Sequence, residues 1–278
     1  MITRIMSALA IIAVVVAAMV LGSWYFYGLI MGVFAIGLRE LLQTPESKFV
    51  IPPSIQWGLI GSLILQVIIH VFAPTLTLYF AFIPFFIILI FGMFQRDRFQ
   101  VEQIAYMGFS YFYMLIPAVA AVTLSQYSMW FILLVGFIAS GTDSAAYFVG
   151  VFFGKHKLAP QVSPKKTIEG SIGGSVIGLL MGVGLFPYLL QQFAPDVWQT
   201  YQPLFSGGTF IITIVILLLL SIATQFGDLV ASNIKRQFGV KDFGNLFPGH
   251  GGVMDRVDGI LVVLALLALV VEVSHLYI

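Results

Sequence analysis

Only 9% of the residues in this chain are charged, yet one stretch, SNIKRQFGVKDFGNLFPGHGGVMDRVD from Ser232 to Asp258, is crowded with charge. It holds Lys235, Arg236, Lys241, Asp242, Asp255, Arg256 and Asp258, with His250 inside it and Asp228 just upstream. Gly239, Gly244, Gly249, Gly251 and Gly252, together with Pro248, rule out one continuous helix here. The stretch therefore reads as a polar, irregular loop between two long apolar runs. Cations beside carboxylates on a pliable backbone suit a phosphate ligand with a divalent metal: cations and N–H groups neutralise phosphoryl oxygens, and carboxylates hold the hard ion. Asp228 and Asp255 are the strongest candidates, because the intervening chain is long enough to fold back and bring them together. Two carboxylates completed by substrate phosphates would make a magnesium site.

A second polar region runs from Thr142 to Gly174. Asp143 falls within an apolar run, where a carboxylate is costly and by default a functional candidate, although a helix-end Asp among lipid headgroups would read the same way. Further on, Ser163 to Thr167 reads SPKKT just ahead of Glu169 and another apolar helix. Lys165 and Lys166 could serve an anion at that helix N-terminus, or could be ordinary juxtamembrane lysines drawn to anionic lipid. Gly150-x3-Gly154-Lys155 is not a P-loop, since the spacing is one residue short and His156 stands where Ser or Thr should follow the lysine. Gly174, Gly178 and Gly182 fall four apart on one helix face, the pattern of a packing seam.

The run S-x-I-K-R-x4-K-D-x-G-x2-F-P-x-H-G-G-V-x-D-R-V-D over Ser232–Asp258 resembles the signature of the phosphatidate cytidylyltransferases, also called CDP-diacylglycerol synthases. The upstream region resembles the same family in Asp143, Ala146-Tyr147, Gly154-Lys155 and Ser163-Pro164-Lys165-Lys166-Thr167-Ile168-Glu169-Gly170. Many members carry Glu where this chain has Ala231, a departure that bears on that position and not on Asp228. The resemblance implies transfer of CMP from CTP to phosphatidate, giving CDP-diacylglycerol and pyrophosphate. It implies magnesium, with a second metal ion possible, held by Asp228 and Asp255. By position it also implies catalytic roles for Lys235, Arg236 and Asp258. Substrate contacts are implied at Asp143, Lys165, Lys166, Thr167, Glu169, Ser232, Lys241, Asp242, His250, Gly251, Gly252 and Arg256. A homodimer is implied as well.

These residues need elements to hold them. At 278 residues and 60% hydrophobic, the chain is an all-α polytopic membrane protein rather than a soluble domain, where about a quarter of residues would be charged. A bilayer core of about 30 Å takes about 20 apolar residues at 1.5 Å rise. Nine runs approach that length, near Ile5–Leu21, Trp24–Leu38, Trp57–Phe72, Leu76–Phe94, Ile104–Leu124, Met129–Phe153, Ser171–Leu190, Phe210–Val230 and Ile260–Val273. The first is longer than a signal-peptide core and reads as a retained helix. With nine spans, all 13 Lys and Arg fall on the side of the N-terminus, which the positive-inside rule makes cytoplasmic. Both polar regions share that side. The short chain, without a long polar N-terminal extension, points to a bacterial inner membrane.

The chain reads as one integral membrane domain, with residues 1–100 as helices of unclear role and 101–278 as catalytic helices and loops. A net charge of +1 gives no basic field for nucleic acid. The absence of Cys excludes disulfides and thiolate metal sites. Two other readings stand beside the transferase: a CTP-dependent lipid-alcohol kinase, and a secondary transporter with buried carboxylates.

Overall fold

The computed structural model of the protein describes residues 2–94, 100–247 and 251–276. Its helices are α1 (Ile2–Leu21), α2 (Ser23–Gln43), α3 (Pro53–Phe72), α4 (Thr77–Phe94), α5 (Val101–Tyr127), α6 (Met129–Phe153), α7 (Ile168–Leu180), α8 (Phe186–Phe193), α9 (Pro195–Tyr201), α10 (Gly207–Gln237) and α11 (Met254–Leu276). A two-stranded antiparallel hairpin, β1 (Lys157–Ala159) and β2 (Ser163–Thr167), sits between α6 and α7. Helices dominate because a spanning segment has no water to satisfy its backbone and must close those hydrogen bonds within itself. Among the described residues seven segments are long and apolar enough to cross a membrane, from Ser23–Ser47 to Met254–Ser274. The first and fourth of the nine expected runs contribute shorter apolar segments, Ile12–Leu21 and Pro74–Ile90. The protein is an all-α polytopic membrane protein. Arg96 and Arg98, two of the 13 basic residues that set the expected orientation, lie outside the described residues.

The chain divides into two compact units: residues 1–127 with 235–257, and residues 128–234 with 258–278. In the first, α2 packs on α5 and α3 around Phe26, Phe34, Leu38, Leu41, Leu63, Met107, Tyr111 and Met114, all buried. The close approach of α2 to α5 uses Gly37, where a Cβ would come within 2.5 Å of the Met114 methyl. A buried polar group ties α3, α4 and α5. His70 Nδ1 meets Thr77 Oγ1 at 2.9 Å, its Nε2 meets Thr123 Oγ1 at 2.8 Å, and Gln66 donates to the Thr77 carbonyl.

In the second unit α7 lies against α6 along the expected glycine seam. A Cβ at Gly174 would run into the Thr142 carbonyl at 2.7 Å, and one at Gly178 into the hydroxyls of Thr142 and Ser221, which bond each other at 2.7 Å. The seventh run is not one uniform helix: Met181–Leu185 widens to a π turn before α8 continues it.

The irregular stretch proves shorter than its glycines suggest. α10 runs on through Asp228, Ser232, Lys235 and Arg236, because nothing there breaks a helix and cations favour its C-terminal end. It stops in a Schellman motif. The Gly239 N–H donates to the Arg236 carbonyl at 3.2 Å and the Val240 N–H to that of Lys235 at 3.0 Å, with Gly239 at φ +72°. α11 starts at Met254, so Asp255 and Asp258 are helical rather than part of the loop.

Candidate functional site

Within the first unit, Asp255 sits in the first turn of α11 with its side chain 3% exposed. Its Oδ1 accepts from Lys235 Nζ at 2.9 Å. Its Oδ2 accepts from the backbone N–H groups of Phe243 at 2.8 Å and Gly252 at 3.0 Å. One carboxylate thus pins the last turn of α10, the middle of the loop and the start of its own helix. The Lys235 ammonium also lies 5.0 Å from the centre of the Phe243 ring, a cation–π contact that helps a mostly buried charge. Gly251 adopts φ +76°, and a Cβ there would come within 2.7 Å of Asp255 Oδ2, so backbone conformation and space both call for glycine.

Sequence reasoning missed Glu40. It lies in α2, among the helices given no role, and is only 8% exposed. Its Oε1 accepts from the Val253 N–H at 3.0 Å and its Oε2 from the Met254 N–H at 2.8 Å. A carboxylate two residues past the second apolar run, just ahead of Leu41 and Leu42, was the available signal, because a buried charge demands partners. What hid it was distance, since those partners lie 213 and 214 residues further along the chain.

Within the second unit, Asp228 is part-exposed on α10. Its Oδ2 pairs with Lys166 Nζ at 2.5 Å, and its Oδ1 accepts from the Ser232 hydroxyl at 3.3 Å. Lys166 reaches it from β2 and also donates to the Gln225 carbonyl at 3.4 Å. Asp143, on α6, is exposed and lies within electrostatic reach of both Asp228 and Lys166. Thr167 closes β2 and caps α7, its hydroxyl accepting from the Gly170 N–H at 3.1 Å. Glu169 holds the start of the hairpin, accepting from His156 Nδ1 at 2.6 Å and from the Lys155 N–H at 3.1 Å. Asp258 accepts from the Gly259 N–H at 2.9 Å. Ala231 is fully buried.

The remaining predicted residues divide simply. Lys165, Arg236, Lys241, Asp242 and Arg256 are exposed, with Arg236 donating to the Val240 carbonyl at 3.4 Å. His250 lies outside the described residues. The structure therefore gathers Lys235, Asp255 and Gly252 around one carboxylate, and Asp143, Lys166, Asp228 and Ser232 around another.

Both aspartates fit a hard divalent ion by donor chemistry. Asp255 Oδ1 accepts one hydrogen bond and keeps a second lone pair, and Asp228 is part-exposed with another carboxylate close by. Exposed or part-exposed cations, Lys165 and Lys166 in one unit and Arg236, Lys241 and Arg256 in the other, suit phosphate oxygens.

The chain matches the cytidylyltransferase family over residues 2–274. It is 34% identical over 247 residues to a phosphatidate cytidylyltransferase of Staphylococcus aureus, covering 86% of this chain and 89% of that protein. It is 31% identical over 281 residues to that of Bacillus subtilis, covering 95% of each. The corresponding Staphylococcus epidermidis protein is 34% identical over 262 residues, covering 86% of this chain and 89% of its own. With the match spanning both carboxylate clusters and the helices that carry them, the chain belongs to the cytidylyltransferase family and is a nucleotidyltransferase.

Proposed function

We propose that this enzyme transfers CMP from CTP to phosphatidate, releasing pyrophosphate and forming CDP-diacylglycerol in the membrane. The observation that carries the reading is the similarity to relatives named phosphatidate cytidylyltransferase over most of both chains. In the proposed step a phosphatidate oxygen attacks the α-phosphorus of CTP, the new P–O bond forms, and the bond to pyrophosphate breaks. Such a phosphoryl transfer needs positioning and charge neutralisation more than covalent help. No general base is required, because a phosphate monoester with a second pKa of about 6 is already mostly dianionic at pH 7.

Lys165, Lys166, Arg236, Lys241 and Arg256 are assigned to the phosphate oxygens. Lys235, held against Asp255, is assigned to keeping that carboxylate in place. Magnesium, with Asp228 and Asp255 as its carboxylate ligands, supplies further neutralisation of phosphate charge when bound. Asp143 adjusts the charge around Asp228 and Lys166. The basic loops and the N-terminus are placed on the cytoplasmic face of a bacterial inner membrane, where CTP is available, and a homodimer is the proposed assembly. The all-Lys/Arg sidedness of the sequence supports that orientation.

The test is incubation of purified protein with phosphatidate, magnesium and CTP labelled on its α-phosphate. Label should enter the organic phase as pyrophosphate is released. Transfer of γ-label instead would make the enzyme a lipid kinase. Uptake of a labelled solute into sealed vesicles without CTP would make it a carrier.

A further inference from the structure

The start of α11 poses a problem that the residues next to it do not solve. The first N–H groups of a helix have no partners within it and are ordinarily met by a Ser, Thr, Asp or Asn at the cap. Here the cap position is Val253, preceded by Gly251 and Gly252, and none of these side chains has an acceptor. Gly252, Val253 and Met254 are all buried, so water is a poor substitute. Two carboxylates meet the demand instead. Asp255 takes the Gly252 N–H, and Glu40 takes those of Val253 and Met254, one on each oxygen.

This arrangement does more than cap a helix. Gly244 and Gly252 both face the Glu40 carboxylate so closely that a Cβ on either would collide with it. The loop therefore folds around Glu40 from two sides. Glu40 and Asp255 are two buried acids, and Asp255 is paired with the buried cation Lys235. The backbone N–H groups and the positive end of the helix dipole offset the remaining negative charge. A neutral residue at position 253 could satisfy a helix end locally. A charged group brought from α2 instead ties the register of Gly252–Asp255 to the helical core of the first unit.

We propose that Glu40 is a positioning residue for nucleotidyl transfer: it sets where the first turn of α11 presents Asp255 and Arg256, without itself touching substrate. This rests on the transferase reading above. It gives the N-terminal helices a task in the reaction, which their apolar sequence does not advertise.

The experiment uses the full-length protein in detergent or nanodiscs, with Glu40→Ala and Glu40→Gln. Misplacing a reacting geometry by about 1 Å costs on the order of 100-fold, so kcat in Glu40→Ala should fall by about that factor. The KM for CTP and for phosphatidate should stay within about threefold, because Glu40 itself touches neither substrate and the residues it positions answer mainly to the charge that develops during transfer. Glu40→Gln keeps one carbonyl acceptor and the same shape, and should lose only about tenfold. Amide exchange should quicken across Phe243–Met254 in both variants while α2 and α5 keep their protection.

A kcat within about threefold of wild type in Glu40→Ala, or unchanged exchange across Phe243–Met254, overturns the proposal. So does a loss of kcat that merely tracks the folded fraction. If Glu40→Ala does not fold, the same two readouts on Glu40→Gln decide the matter. Should the unmodified enzyme move no α-label, the transferase reading fails, and the exchange measurement still tests the positioning role.

Discussion

Asp255 and Asp228 are the same residue type, and both were singled out for the same task, but their surroundings differ sharply. Asp255 is nearly inaccessible, with three protein donors on its two oxygens, two of them backbone N–H groups. Asp228 is part-exposed, with one lysine and one long hydroxyl contact, and another acid nearby. The first carboxylate is built into the architecture of a loop; the second is held by side chains that can exchange partners. A charge surrounded by fixed backbone dipoles cannot be removed without reorganising the chain. A charge paired to a flexible lysine can be.

That contrast is open to direct attack, and the largest effect should come from Asp255→Asn. It leaves Lys235 buried without its counter-charge, which costs about 3–5 kcal/mol, so thermal unfolding in detergent should shift downward together with complete loss of transfer. An unfolding temperature equal to wild type would show that Asp255 is not structural after all. Asp228→Asn should behave differently. Loss of a part-exposed pair costs only about 0–1 kcal/mol, so the protein should unfold as wild type does while α-label transfer drops by about 100- to 1,000-fold. Comparable destabilisation in both variants would erase the distinction.

Intermediate effects probe each cluster from its neighbours. Gly252→Ala forces a methyl against Glu40 and should destabilise by about 1–3 kcal/mol, read as a lowered unfolding temperature and faster exchange at the start of α11. Lys166→Met removes the proposed charge-assisted bond to a substrate phosphate, worth about 1.5–3 kcal/mol, so kcat/KM for CTP should fall by about 10- to 100-fold, while stability moves by no more than the roughly 0–1 kcal/mol of the lost Asp228 pair. The smallest change is Ser232→Ala, whose 3.3 Å contact to Asp228 is long. Turnover there should stay within about fivefold, and a larger loss would mean that this hydroxyl contacts substrate.

Much of the protein is legible in its sequence. The apolar runs had to be helices because a bilayer permits little else; among the described residues seven of the nine carry segments long enough to span, and the first and fourth carry shorter ones. The glycine triplet at 174, 178 and 182 announced a close helix contact, and α7 at Gly174 and Gly178 and the π turn at Gly182 do approach their neighbours. The loop was harder. Its glycines and proline suggested irregular backbone from Ser232 onward, yet α10 persists to Gln237 and stops only where Gly239 takes up a left-handed conformation. Composition marks where a helix can end; the backbone hydrogen bonds decide where it does.

By itself, then, the order of residues determined the membrane class, the helical content, the chemistry on offer and the family, because these depend on local composition and on motifs contiguous in the chain. Only the tertiary structure decided what each charge answers to. Lys166 meets Asp228, His156 meets Glu169, and Glu40 meets the N–H groups of Val253 and Met254 across more than two hundred residues. A buried charge states that it needs a partner, but which partner it finds is settled by packing, and packing between distant segments leaves no periodic trace in the sequence.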